Sequence, residues 1–123
     1  MATNAKILIA GALTSTGSGP ASANLGPSAA KTWLINSLIL TNRESTTIPV
    51  KVEASAPGGS AYPVVPNGLM VPAGGSVVID YDLMLMKPAS GPGDQITVSA
   101  TFAGAASSGV SYVAMGVERD VSN

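Results

Sequence analysis

The chain has 123 residues, enough for one hydrophobic core and too few for two well-stabilised ones. Charged residues make up 11% of it, mean hydropathy is +0.36 and the net charge is −1, whereas an ordinary soluble domain is about 25% charged. With no Cys, no His and no basic run, the composition excludes disulfides, thiol and imidazole catalysis and Cys/His zinc sites, and argues against a nucleic-acid partner.

No apolar run approaches the roughly 20 residues that cross a bilayer as a helix, so a soluble chain with no membrane partner is expected. Sparse charge leaves a small protein prone to self-association. The exterior is therefore expected to be covered in use, by copies of the chain or by another protein.

Residues 5–13 (AKILIAGAL) read as a first strand. Lys6, the apolar Ile7 to Leu13 and Ala21-Ser22-Ala23 imitate a secretory signal, but Gly11 interrupts a stretch already at the short limit, and the strand reading is preferred. Residues 14–30, with Gly17, Gly19, Pro20, Gly26 and Pro27, read as a long loop. A loop of that length in a compact domain is functional, mobile or laid across a neighbour. The expected division is thus 1–30, an N-terminal strand or arm plus loop, and 31–123, a β-sandwich domain.

Residues 31–42 (KTWLINSLILTN) are the strongest apolar run, with Trp33, Ile35 and Ile39 on one parity and Leu34, Leu38 and Leu40 on the other. This predicts a strand buried on both faces, or one that bends between sheets. Residues 47–55 alternate cleanly, and Pro49 on the polar parity suggests an edge strand. Two short segments at 61–65 and 69–71 follow, broken by Pro63 and Pro66.

Residues 76–86 (SVVIDYDLMLM) begin with a polar face that turns apolar at Leu83 to Met86. Residues 95–103 alternate Ile96, Val98, Ala100 and Phe102 against polar neighbours. In 110–119, Val113, Met115 and Val117 oppose Tyr112 and Glu118. Six or more short strands with frequent turns and no helix-period segment predict an all-β fold, a single antiparallel β-sandwich or jelly roll with an extended N-terminal segment.

Candidate chemistry is sparse. Asp80 and Asp82 could hold a hard cation, but no third acid stands nearby. Gly91-Pro92-Gly93-Asp94 opens a strand, whereas phosphate cradles open helices. Trp33 and Tyr112 could offer a sugar-stacking face, although a lone Trp in the most apolar strand belongs in a core. No catalytic, metal or cofactor-binding residue is assigned, and the chain is expected not to be an enzyme.

The informative residues are apolar. Four in a row at 83–86 expose side chains on both faces of a strand, so Met84 and Met86 are expected at an interface unless the loop after Thr14 covers them. Ile7, Leu8 and Ile9 are expected there too, as an N-terminal strand able to join a neighbour.

In order, KTWLINSLILTN (31–42), VPAGGS (71–76), GDQITVSA (93–100) and VER (117–119) form a series that resembles small virion proteins of tailed bacteriophages and prophages. The resemblance covers most of residues 30–119. It implies a compact β-sandwich present in many copies, located in the virion and made in the host cytoplasm. The role it implies is that of a capsid decoration protein packing against itself and the major capsid protein; a neck, tail or fibre accessory role among other tail proteins, or a carbohydrate-binding module, are the alternatives.

Overall fold

The computed structural model describes residues 6–66, 68–80 and 82–121. Among the described residues ten strands follow in order: β1 (Lys6–Ser15), β2 (Gly19–Leu25), β3 (Lys31–Asn42), β4 (Ile48–Ser55), β5 (Tyr62–Pro63), β6 (Leu69–Val71), β7 (Ser76–Ile79), β8 (Leu83–Lys87), β9 (Gln95–Phe102) and β10 (Ala106–Asp120). Every pairing is antiparallel.

The strands form two sheets. The first runs β1-β10-β3 and then β7 and β8, which share the outer side of β3 end to end. The second runs β2-β9-β4 and then β5 and β6, which share β4 in the same way. Counting each shared pair as one broken strand gives four strands facing four. The first two strands pair with the last two, β1 with β10 and β2 with β9, which is the strand order of a jelly roll.

Alternation builds the core. Ile96, Val98, Ala100 and Phe102 of β9 and Ile48, Val50 and Val52 of β4 are buried against Trp33, Ile35, Leu38 and Leu40 of β3 and Val110 and Ala114 of β10. A residue period of two on each inner face is what two stacked sheets require.

Three sequence readings change. Residues 14–30 are not one long loop, because residues 19–25 pair with β9 along their whole length. Ala21 and Ala23 pack on the core and Leu25 is fully buried, while Ser22 and Asn24 face out. Small residues hid that alternation, and Pro20 is tolerated because β2 lies at a sheet edge. Residues 6–25 thus supply one edge strand to each sheet.

Second, β4 is not an edge strand: it lies between β9 and the β5/β6 pair. Pro49 sits one residue beyond the first position that β4 pairs with β9, Val50 with Ala100, so its missing N–H interrupts nothing there. Third, residues 76–86 are two strands, split around Asp80 and Asp82.

The split in β7/β8 answers a bulge in β3. Met115 pairs with Ser37 but the next residue, Gly116, pairs with Ile35, leaving Asn36 as the extra residue. The bulge switches parity: Trp33 and Ile35 point inward before it, Leu38 and Leu40 after it. Gly116 is needed at this close approach, since a Cβ there would stand 1.9 Å from the Leu34 carbonyl oxygen.

Candidate functional site

Which side chains face away from the core follows from register, because directly paired residues share a face. On the first sheet the outward set of β3 is Thr32, Leu34, Ser37, Ile39 and Thr41, since Trp33, Ile35, Leu38, Leu40 and Asn42 are buried. Pairing extends each position into a row across the sheet. Leu34 lies between Met84 and Val117; Ser37 and Met115 lead to Ile7; Ile39 lies between Val78 and Val113, and Val113 leads to Ala10.

Of the three middle rows the two outer ones are therefore apolar, and the central one sets Met115 and Ile7 beside Ser37 and the exposed Asp80. Ile7 is 59% exposed, Val78 52%, Met84 68% and Met86 47%, whereas Leu34, Ile39, Val113, Met115 and Val117 are half-buried among them. Polar residues mark the rims. Thr41, Ser76 and Ser111 line up at one end, and Thr32 and Arg119 stand beside Met86 at the other.

The outer face of the second sheet is mainly polar, with Pro49 and the 49% exposed Met70 as the apolar exception at one end. Its rows join Ser22, Ser99 and Lys51, and then Asn24, Thr97 and Glu53. The Thr97 hydroxyl donates to Asn24 Oδ1 at 2.8 Å. One sheet thus has a mainly polar exterior, and the other a mainly apolar one. Half-solvated antiparallel sheets normally alternate apolar in and polar out.

Of the expected interface residues, Ile7, Met84 and Met86 lie exposed on this apolar face, while Leu8 and Ile9 are half-buried and packed on the core. No loop covers the two methionines, because the segment after Thr14 belongs to the opposite sheet. The signal the sequence reading lacked was the bulge at Asn36. It places Leu34 and Ile39, which lie on opposite parities of the sequence, on one face.

The polar candidates are occupied structurally. Ser37 Oγ donates to Asp80 Oδ1 at 3.2 Å, Asn36 Nδ2 to Asp82 Oδ1 at 3.4 Å, and the Met86 N–H to Asp94 Oδ2 at 3.1 Å. Among the described residues no three metal-binding side chains converge. Trp33 is buried, Tyr112 lies half-buried across Gly11, and Tyr62 is 69% exposed. Tyr81 lies outside the described residues. Trp33 and Tyr112 therefore form no open aromatic platform.

Trp33 also has a polar tie. Its indole Nε1 donates to Glu118 Oε2 at 2.8 Å, and Lys6 Nζ lies 3.5 Å from Glu118 Oε1. The indole bond, with the Lys6 charge behind it, holds the Glu118 carboxyl below the usual carboxylate range. A carboxyl depressed in the folded state stabilises above its unfolded pKa, and that contribution is lost as pH falls through the folded value. Acidification below about pH 4 should therefore lower the melting temperature, and Glu118→Gln should lessen this fall. An acid profile identical in the variant would show that the Trp33 tie contributes nothing.

No protein-family model matches the chain, and no curated protein matches it. Among solved structures it is similar to the Drosophila NLP core, described in connection with pentamer formation and histone binding, at 16% identity and a TM-score of 0.49, covering 95% of this chain and 99% of that one. It is similar to a chain of infectious bursal disease virus, Gx strain, at 14% identity and a TM-score of 0.39, covering 94% of this chain and 32% of that one. A carbohydrate-binding module of the CBM4 type gives 13% identity and a TM-score of 0.29, covering 95% and 79%.

Proposed function

We propose that the chain is a non-enzymatic structural component of a tailed-phage virion, a capsid decoration protein that packs against itself and the major capsid protein. The observation that supports this reading is the contrast between the two outer faces. An exterior sheet surface of Leu34, Ile39, Val78, Met84, Val113, Met115 and Val117 is a liability in a free monomer and an asset in an assembly.

Four strands about 4.8 Å apart and five rows about 7 Å apart, rims included, give this face roughly 650 Å² in projection. Contact area exceeds projection, so the face approaches the roughly 800 Å² per partner of a stable interface. The sequence resemblance to small phage virion proteins supplies the setting.

Particles purified from a culture producing the phage that carries this gene should contain the chain in tens to hundreds of copies by quantitative mass spectrometry. Antibody labelling should fall on the heads. Labelling on the neck or tail moves the protein to the accessory role, and particles without the chain overturn the proposal.

A further inference from the structure

Jelly rolls leave four sheet edges, and an edge strand with free N–H and C=O groups is a template for another chain. Three of the four are guarded here. On β2, Pro20 breaks the donor row. The β5/β6 edge consists of strands of two and three residues, with Pro63 in the first and Pro66 in the link between them. The β7/β8 edge is split at Asp80 and Asp82, and beside β8 the chain folds back: Asp94 N–H donates to the Met86 carbonyl at 2.9 Å, and the Met86 N–H is bound by the Asp94 side chain.

The fourth edge, β1, is the least guarded among the described residues. It has ten residues, no proline and a single charge at its start, Lys6. Among the described residues, β1 pairs with no strand but β10. Register shifts lie between Ile7 and Ile9 and between Leu13 and Ser15, which leaves Ile9 to Leu13 as a regular stretch between two bulges.

We propose that β1 pairs with β1 of a second copy of this chain, antiparallel about a two-fold axis at Gly11. In that register Ile9 stands opposite Leu13 of the other copy on the core side, and Ala10 opposite Ala12 on the outer side. Side chains of the same face meet, as strand pairing demands. The two Lys6 side chains fall at opposite ends of the pair, about 30 Å apart. A parallel pairing sets them side by side. The two apolar outer faces become one continuous surface, so the dimer deepens the self-packing part of the function proposed above while resting on the edge and not on the virion reading.

The chain has no cysteine, which makes cross-linking a clean test. The double variant Ala10→Cys/Ala12→Cys, oxidised at micromolar concentration, should run at twice the chain mass on a non-reducing gel. The control Ser22→Cys/Asn24→Cys, on the guarded β2 edge, should stay monomeric. In sedimentation, the unmodified chain should be a dimer, and Ala10→Lys/Ala12→Lys, which brings four ammonium groups together, a monomer of unchanged circular dichroism.

A chain that sediments as a monomer at 100 µM, or cysteines at 10 and 12 that cross-link no better than those at 22 and 24, overturns the pairing. So does a dimer abolished by Met84→Asp but not by the lysine pair, since the face would then be the contact. Dimers formed by a chain absent from virions would sink the function proposal and leave this one standing.

Discussion

Replacing Asn42 by alanine is expected to cost about 3 kcal/mol and to lower the melting temperature by roughly 10 °C or more, the largest effect of any single polar substitution in the fold. Asn42 is fully buried. Its Nδ2 donates to the carbonyls of Val71 at 3.0 Å and Thr46 at 2.6 Å, and its Oδ1 accepts from the Glu44 N–H at 2.9 Å. One side chain therefore fastens the end of β3 in the first sheet to β6 in the second and shapes the turn between β3 and β4. That turn is tied a second time, because Glu44 Oε2 accepts the N–H groups of Ser108 and Gly109 of β10.

Alanine leaves the Val71 carbonyl without this donor in a place where water does not reach, and an unmade buried hydrogen bond costs more than a made one contributes. Asn42→Asp separates shape from hydrogen bonding. At neutral pH its carboxylate faces two carbonyl oxygens, so its pKa is pushed up in the folded state. A raised carboxyl pKa means a penalty that is full above the folded value and fades as pH falls toward the unfolded value near 3.9. Between pH 7 and pH 4.5 the aspartate variant should gain on the unmodified protein in chemical denaturation, and the alanine variant should not. Parallel curves for the two variants would mean that the cost is cavity rather than polarity.

Where the sequence was legible, alternation made it so. The pattern at 95–103 named the inward residues Ile96, Val98, Ala100 and Phe102, and the bounds of β3 coincide with the apolar run at 31–42. What stayed hidden were interruptions of period. The bulge at Asn36 makes Leu38 rather than Ile39 the partner of Ile35 on the inner face, and no residue type announces such a bulge beforehand. β2 was missed because Ala and Ser carry little hydrophobic contrast and Gly and Pro imitate a loop. The apolar outer face was half legible: Met84 and Met86 stood out as consecutive apolar residues, but their neighbours Leu34, Val78 and Val113 join them only through pairings of distant strands.

That face carries the second large expectation. Met84 and Val78 are 68% and 52% exposed in the free chain, so aspartate at both should change folding stability by under about 1 kcal/mol. In an assembled state the same residues are covered, and fully burying one such side chain is worth about 1.5–3 kcal/mol. Losing two such contributions weakens attachment to the particle by at least about 100-fold, before the desolvation of two unpaired carboxylates is added. Ser22→Asp/Ser99→Asp, the same charge change on the polar sheet, should leave attachment intact. Co-sedimentation with purified particles reads both variants, and the dependence on salt identifies the force: attachment through apolar contact strengthens in sulfate, whereas attachment through ion pairs fades as ionic strength rises. If Met84→Asp/Val78→Asp binds as the unmodified chain does while Ser22→Asp/Ser99→Asp fails, the polar sheet is the one that faces the virion.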